Sequence, residues 1–389
     1  MDILGKVHLS KGRDSSIRRR HPWVFSGAIK LVEGNPEEGD WVSVVDSSNE
    51  ILGYGHYHSG TIAVRILQLM GAAPSNNFWI DKIGHAIEHR KSVGLPSDVT
   101  NAYRLVHAEG DGLSGLIIDV YNGVAVLQAH SVGMFNDREK IAAALQTVFD
   151  DELSAIYLKS PSTSKQSDEY LFGMSAIPHV IHEYNHKFYV DWETGQKTGF
   201  FLDQRENRNL LAGFCAEKSV LNTFCYTGGF TIYALHAGAR EVHSVDASEK
   251  AIELTRKNIQ LNGFDNQAHP SFAMDTFEFL KDKGDKYDVI ILDPPAFAKH
   301  KSARHQAMKG YQRLNAEAFR VIRSGGIIFT FSCSQVVSRQ LFYDTIVSAA
   351  IQAGREVKVL HQLSQPADHP ISIYHPEGDY LKGLVLYVN

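Results

Sequence analysis

The stretch that most constrains the fold is Lys218–Ser248, which reads KSVLNTFCYTGGFTIYALHAGAREVHSVDAS. An apolar run, a glycine turn, a helical apolar spacing and a second apolar run follow one another in it. This order predicts strand, turn, helix and strand. Such a βαβ unit belongs to a parallel sheet, because parallel neighbours need a crossover connection. The second strand ends on Asp246, at the edge of the sheet where ligands bind.

The glycine turn at Tyr226–Phe230 favours a nucleoside ligand that carries no phosphates. It lacks the G-x-G-x-x-G fingerprint of a pyrophosphate cradle, and no Walker A lysine follows it. An acid at the tip of the second strand can accept hydrogen bonds from ribose hydroxyls. S-adenosylmethionine is therefore the expected cofactor. An ordinary βαβ unit of a flavodoxin-like domain is the alternative.

Strand and helix signals divide the 389 residues into three predicted domains. Short β signals fill residues 1–75, an α+β middle domain is expected at 78–185, and strands alternate with helices over 190–389. The predicted fold class is α/β, with a C-terminal doubly wound Rossmann-like sheet preceded by a small β-barrel and the α+β domain. His56 and His58 share a predicted strand and are expected at the surface rather than in a metal site, and no metal is expected.

Two apolar strands of the third domain end in reactive residues: YDVIIL is followed by DPPAFA, and GGIIFTF is followed by SCS. If these strands are neighbours, their tips lie about 5 Å apart, and Asp293 and Cys333 face one substrate. A lone cysteine is more often structural, but its position beside DPP makes Cys333 a candidate nucleophile. Adding its thiolate to C6 of a pyrimidine makes C5 reactive towards a methyl group. Cys333 and Asp293 are therefore the predicted catalytic residues.

Basic and aromatic residues occur together in two places, although the net charge is −5. The segment 1–30 holds seven Lys or Arg against two Asp, and the chain between Asp293 and Leu314 is also basic. Arginines interleaved with aromatics can contact phosphates and stack on bases, whereas a solvated charged surface is the alternative. The predicted RNA-binding residues are Arg18, Arg19, Arg20, Trp23, Lys299, Lys301 and Arg304.

Several motifs resemble known families. The opening R-R-H-P-W-V-F-S-G, followed by G-D-W-V and G-Y-G, resembles a PUA domain, a small RNA-binding β-barrel. The motifs KTGFFLDQREN, NTFCYTGGF, SVDAS, DPPAFAKHK, FSCS and HPEGDYLKG together resemble the RlmI family of 23S rRNA cytosine-C5 methyltransferases, a group of class I S-adenosylmethionine-dependent enzymes. The resemblance implies cofactor contacts near the methionine end, the ribose and the adenine. The implied cofactor-binding residues are Phe224, Cys225, Tyr226, Gly228, Asp246, Asp275, Asp293, Gln204 and Arg205.

Two positions depart from the related patterns. Asn222 stands where these families place an aspartate, and Ala296 stands where two-cysteine RNA cytosine methyltransferases place a second cysteine. Release of the product must then use another base, either Asp293 or water.

The sequence therefore predicts a methyltransferase that acts on C5 of a cytosine in 23S rRNA through a covalent cysteine–C6 adduct. One alternative is an N-methyltransferase that acts on an exocyclic amine of an RNA base, and another is a non-catalytic RNA-binding ribosome assembly factor. No apolar run is long enough for a membrane span, and no secretory signal or C-x-x-C pair is present. These features favour the cytoplasm. A homodimer is one option, and the modified nucleotide and the form of the rRNA stay open.

Overall fold

The structure is a computed structural model that describes residues 1–160, 167–281, 286–298 and 300–389. The chain forms two compact units. The first comprises residues 1–181, 190–202 and 367–378, and the second comprises residues 182–189, 203–366 and 379–389. The three domain boundaries drawn from the sequence stay a prediction.

The N-terminal sheet of the first unit has six strands in the order β2-β6-β5-β4-β1-β3. Its strands are β1 (Gly5–Leu9), β2 (Trp23–Phe25), β3 (Ile29–Glu33), β4 (Trp41–Val45), β5 (Ile51–Tyr57) and β6 (Ile62–Leu69), and the short helix α1 (Ser15–Arg18) follows β1. Gly55 allows β5 and β6 to approach closely, because a Cβ atom there would lie 1.9 Å from the backbone oxygen of Arg65. The register of β5 and β6 shifts at this point, as a β-bulge requires.

The other sheet of the first unit has five strands in the order β11-β10-β9-β8-β7. Its strands are β7 (Ala102–His107), β8 (Leu116–Tyr121), β9 (Val124–Ala129), β10 (Ala155–Leu158) and β11 (Glu169–Gly173), with the helices α2 (Phe78–Ser92), α3 (Val132–Asn136) and α4 (Arg138–Phe149). Asn122 and Gly123 both have positive φ values, 45° and 83°. They close the predicted hairpin between β8 and β9, because a tight primed turn needs left-handed residues at both central positions.

The surface position predicted for His56 is wrong. Its side chain is 2% exposed, and Nε2 lies 3.1 Å from a carboxylate oxygen of Asp137. The same oxygen accepts a hydrogen bond of 2.8 Å from the indole of Trp41. Burial lowers the pKa of His56, and the neighbouring carboxylate acts in the opposite direction. The ring is therefore buried because Asp137 satisfies one of its nitrogens.

The second unit is built on a seven-stranded sheet with the order β16-β15-β14-β17-β18-β20-β19. Its strands are β14 (Ser219–Thr223), β15 (Glu241–Asp246), β16 (Ser271–Ala273), β17 (Tyr287–Leu292), β18 (Ile322–Ser332), β19 (Val357–Leu363) and β20 (Lys382–Val388). The first five strands in this order, from β16 through β15, β14 and β17 to β18, are parallel. Strand β20 is antiparallel to both of its neighbours, β18 and β19. The chain order reverses between β14 and β17, so the switch point of the sheet lies at their carboxyl ends.

Six helices accompany this sheet among the described residues. They are α5 (Arg205–Ala212), α6 (Gly229–His236), α7 (Glu249–Leu261), α8 (Thr276–Leu280), α9 (Arg304–Val321) and α10 (Arg339–Ala353). A separate hairpin, β12 (His179–Glu183) and β13 (His186–Val190), precedes them. In the described part of the chain, no helix is both long and apolar enough to cross a membrane.

Candidate functional site

The turn between β14 and α6 has an unusual backbone. Phe224, Tyr226 and Gly228 have φ values of 54°, 48° and 78°, a left-handed conformation that non-glycine residues rarely adopt. A Cβ atom on Gly228 would lie 2.8 Å from the methyl group of Thr255. Strained backbone of this kind concentrates where a turn must present its main chain to a ligand.

Asp246 holds this turn in place from the tip of β15. One carboxylate oxygen accepts a hydrogen bond of 3.0 Å from the backbone N–H of Tyr226, and the other accepts one of 2.9 Å from the N–H of Ser248. The side chain is partly exposed. A carboxylate oxygen has more than one lone pair, so Asp246 can also accept hydrogen bonds from ribose hydroxyls.

Asn222 is buried at the end of β14. Its amide nitrogen donates to the hydroxyl of Thr231 at 2.9 Å, and that hydroxyl lies 2.7 Å from the hydroxyl of Ser244. Among the described residues, the side-chain oxygen of Asn222 has no hydrogen-bond donor. An unsatisfied buried acceptor beside the glycine turn fits a polar ligand there.

Asp275 lies one strand further along, in the loop after β16. It is exposed, and one oxygen caps α8 by accepting from the backbone N–H groups of Phe277 and Glu278 at 2.8 and 3.2 Å. Its place at the carboxyl end of a parallel strand is the side of the sheet where ligands bind.

The strands that precede Asp293 and Cys333 are neighbours, as the sequence analysis required. Strands β17 and β18 pair in parallel with Leu292 opposite Thr330. Asp293 and Cys333 therefore follow adjacent strand ends at the same edge of the sheet, and both are partly exposed.

The three cysteines differ in their exposure. Cys215 is 0% exposed, Cys225 is 6% exposed, and Cys333 is partly exposed. Burial raises the pKa of Cys215 to about 12 and raises that of Cys225 further. Because a thiolate is the reactive form, Cys333 is the cysteine whose surroundings suit a nucleophile.

Two serines anchor the turn that carries Cys333. The hydroxyl of Ser332 donates to the phenol oxygen of Tyr311 at 3.0 Å, and that of Ser334 donates to the carbonyl of Ala298 at 2.7 Å. The SCS and DPPAFA loops are therefore tied together. Burial raises the pKa of Tyr311 to about 12, and the charges of Cys333 and Asp293 also raise it. Tyr311 therefore contacts the turn that carries Cys333 through Ser332.

A chain of amides orients Asp293. The side-chain nitrogen of Asn207 donates to the side-chain oxygen of Gln204 at 2.6 Å, and the nitrogen of Gln204 donates to the carboxylate of Asp293 at 3.0 Å. The next residue, Arg205, is 2% exposed and donates to Glu206 at 3.1 Å. Gln204 thus lies against the predicted catalytic carboxylate.

The guanidinium of Arg18 is engaged by carboxylates on the barrel. It donates to Asp14, to Asp46 at 2.8 Å and to Glu50 at 2.7 Å. Three acids around one arginine give it a structural role. Arg18 and Arg19 are both exposed.

The other N-terminal candidates have partners within the first unit. Arg20 has a φ of 64°, and the central carbon of its guanidinium lies 5.6 Å from the ring centre of Tyr374. The indole N–H of Trp23 points to a carboxylate oxygen of Glu109 at 3.0 Å and to the hydroxyl of Ser114 at 3.1 Å. The indole is therefore fixed through its nitrogen.

The remaining RNA candidates lie after Asp293. Arg304 is exposed at the start of α9, and Lys301 is exposed in the short 3-10 turn before it, where their positive charges can reach a polyanion. Lys299 lies outside the described residues.

One group of side chains has the spacing of a metal site. The ligand atoms of His21, His375 and Glu377 lie within 4.8 Å of one another. The backbone N–H of Trp23 donates to Nδ1 of His21 at 3.2 Å, so the proton of the neutral ring lies on Nε2, which is 4.0 Å from Glu377. A protonated Nε2 has no lone pair for a metal ion, and the cluster is better described as an electrostatic contact.

Lys382 is a further residue of this site that was not predicted from the sequence. It lies in the quoted HPEGDYLKG stretch, is 2% exposed, and donates to the backbone oxygen of Ser334, next to Cys333. The sequence signal for this residue was a single lysine directly before the apolar run GLVLYV. A lysine buried at the start of such a strand needs a partner, because lysine is seldom fully buried without one.

Family models match two regions of this chain. A PUA-like domain matches residues 7–69, and an S-adenosylmethionine-dependent methyltransferase matches residues 154–373. The predicted barrel, the predicted methyltransferase sheet and the predicted cofactor are confirmed by these matches.

Relatives cover nearly the whole chain. It is 40% identical to ribosomal RNA large subunit methyltransferase I of Aeromonas hydrophila over 391 residues, with 98% of each chain covered. It is 39% identical to the protein of the same name from Tolumonas auensis, again with 98% of each covered.

Solved structures agree on the fold. One of a methyltransferase complexed with SAH has a TM-score of 0.85 at 24% identity, and covers 98% of this chain and 99% of that chain. Another, of an S-adenosylmethionine-dependent methyltransferase from Streptococcus mutans, has a TM-score of 0.84 at 23% identity with the same coverage.

Proposed function

The chain belongs to the ribosomal RNA large subunit methyltransferase I family, and from this premise we propose that it methylates C5 of a cytosine in 23S rRNA through a covalent bond between Cys333 and C6. One observation carries the cytosine chemistry. The partly exposed thiol of Cys333 follows β18, and β18 pairs with β17, the strand that directly precedes Asp293.

S-adenosylmethionine, when bound, supplies a methyl group on a positively charged sulfur. We assign its methionine end to the turn formed by Phe224, Cys225, Tyr226 and Gly228, its ribose to Asp246, and its adenine to Asp275. Gln204, Arg205 and Asp293 complete the set. The left-handed turn, the carboxylate at the strand tip and the unsatisfied oxygen of Asn222 support this assignment.

The thiolate of Cys333 forms a bond to C6 of the cytosine, and the electrons of the C5–C6 double bond make C5 nucleophilic. After C5 gains its methyl group, a base removes the C5 proton. The electrons of the C5–H bond then restore the double bond and expel the thiolate. Ala296 offers no second thiol for this proton, so Asp293 or a water molecule is the proposed base.

We assign RNA capture to the basic residues of each unit. Arg19, Arg20, Lys301 and Arg304 supply exposed or partly engaged positive charge for the phosphates. Arg18 and Trp23, which are held by carboxylates, would shape the surface. A cytoplasmic location and a homodimer stay predictions.

A covalent trap tests the proposal. The wild-type protein is incubated with S-adenosylmethionine and a 23S rRNA transcript made with 5-fluorocytidine triphosphate, because fluorine at C5 blocks the proton loss that frees the cysteine. We expect a denaturant-resistant protein–RNA adduct that requires the cofactor. Cys333→Ala and Cys333→Ser should form none, while Cys215→Ala, which removes a buried thiol with no assigned role, should form it normally.

The other outcomes identify the competing functions. Methylation that persists in Cys333→Ala without an adduct would exclude the thiol mechanism and favour methylation of an exocyclic amine. Failure of the intact protein to bind S-adenosylmethionine in calorimetry would instead favour a non-catalytic RNA-binding protein.

A further inference from the structure

Lys382 is buried against the turn that carries the proposed nucleophile. Strand β20 runs antiparallel to β18, with Lys382 directly opposite Ser332. Its side-chain nitrogen donates to the backbone oxygen of Ser334 at 2.7 Å and to that of Tyr380 at 2.9 Å. The lysine therefore reaches across to the residue that follows Cys333.

Asp379, the carboxylate that acts electrostatically on this lysine, is itself paired with an arginine. Asp379 forms a two-pronged pair with the guanidinium of Arg339, at 2.9 and 2.8 Å. Burial lowers the pKa of Lys382 to about 8, Asp379 and Cys333 oppose that change, and Arg339 adds to it. The charges of Cys333 and Asp293 both act on the phenol of Tyr311 and raise its pKa.

We propose that Lys382 is a positioning residue that holds the turn of Cys333 and stabilises its thiolate with a positive charge. This inference rests on the proposed function, because it assigns a partner to the proposed nucleophile. The two carbonyl acceptors use two of the three N–H donors of an ammonium group. The ammonium can therefore keep these bonds while its charge acts on the sulfur.

The ionisation needs no further reactant. The S–H bond of Cys333 breaks, its proton passes to water, and the electron pair stays on sulfur beside the ammonium. An opposite charge within about 4–6 Å lowers the pKa of an acid by about 1–3. Since the pKa of Lys382 is about 8, the ammonium is the main form at neutral pH and is lost at higher pH. Its effect on the thiol should be largest below about pH 8.

Alkylation of the full-length protein tests this inference without RNA or cofactor. The rate at which iodoacetamide modifies Cys333 is measured by mass spectrometry from about pH 6 to about pH 10, since only the thiolate reacts. In Lys382→Met the midpoint should rise by at least about one pH unit, which slows alkylation at pH 7 about tenfold. Lys382→Arg, which keeps the charge, should stay close to the wild type.

A second buried lysine provides the matched control. Lys159 is 9% exposed and donates to a backbone oxygen of Gly195 at 2.6 Å. Lys159→Met should leave the Cys333 profile unchanged. The buried Cys215 and Cys225 should stay unmodified in every sample, which reports that the variants are folded.

An unchanged midpoint in folded Lys382→Met would overturn the inference. The wild-type profile decides the matter even if Lys382→Met does not fold, because a Cys333 midpoint at or above that of free cysteine would also overturn it. A shifted midpoint together with a failed fluorocytosine trap would instead contradict the cytosine chemistry and leave the lysine–cysteine pair standing.

Discussion

Replacing Asp246 should weaken cofactor binding beyond any effect on the fold. The carboxylate accepts two backbone hydrogen bonds, from Tyr226 at 3.0 Å and Ser248 at 2.9 Å. Hydrogen bonds to a charged group contribute about 1.5–3 kcal/mol each, and the lower end applies to a partly exposed side chain. Asp246→Ala should therefore lower the free energy of unfolding by roughly 3 kcal/mol in the absence of cofactor.

The loss of cofactor-binding energy is separate from that loss of stability. If the ribose hydroxyls donate to the same carboxylate, Asp246→Ala also removes about 2–3 kcal/mol of binding energy. That energy corresponds to an affinity for S-adenosylmethionine that is about 30- to 150-fold weaker. Asp246→Asn keeps one acceptor oxygen and should fall between the wild type and the alanine variant.

Calorimetry with S-adenosylhomocysteine, paired with unfolding measurements on the free protein, separates the two terms. Ser248→Ala is the matched control, because the Ser248 hydroxyl caps α7 through the N–H of Ala251 at 3.3 Å and its loss costs about 1 kcal/mol of stability. The control should bind the cofactor normally. Wild-type affinity in Asp246→Ala would refute the ribose assignment, and an equal loss in Ser248→Ala would trace the effect to instability.

Two further predictions concern stability. Gly228→Ala should lower the free energy of unfolding by about 2–4 kcal/mol, because its backbone is left-handed and the new Cβ atom would clash with Thr255. The control Gly238→Ala, where φ is +80° and nothing lies within 4 Å, should lower it by only about 1 kcal/mol. Equal losses in urea unfolding would show that the clash with Thr255 contributes nothing. Burial, with His236 and Arg208, lowers the pKa of His186 to about 4, so the folded state resists protonation and stability should be lost as pH falls from about 6.5 towards 4. The loss should be roughly 1–2 kcal/mol after solvent screening, and an equal pH dependence in His186→Phe would contradict this assignment.

Local patterns predicted much of the second unit. The apolar runs, the glycine turn and the helix signal between Lys218 and Ser248 correspond to β14, α6 and β15. Buried parallel strands are nearly continuous apolar runs, so YDVIIL and GGIIFTF were also predicted as strands. The residues that follow their ends identified Asp293 and Cys333 as candidates. The family models then confirmed the barrel, the methyltransferase domain and the cofactor.

The local patterns did not predict which groups pair with the charged and polar side chains. Arg18 was grouped with its basic neighbours, yet its guanidinium is surrounded by Asp14, Asp46 and Glu50. His56 was expected at the surface, but Asp137, 81 positions away, allows it to be buried. Whether a polar side chain is exposed depends on which distant group can satisfy it, and composition carries no such information.

The sequence by itself determined the parallel sheet, its glycine turn and the reactive residues at its strand ends. These features depend on the spacing of apolar residues, the length of each apolar run and the residues of each turn, and all three are set within a few neighbouring positions. Only the tertiary structure decided what those residues meet. The pairing of β18 with β20 brings Lys382 opposite Ser332, and the packing of α9 brings the Tyr311 hydroxyl to the same serine. Strand order and register are set by burial of the whole sheet, and they decide which buried charge lies beside Cys333.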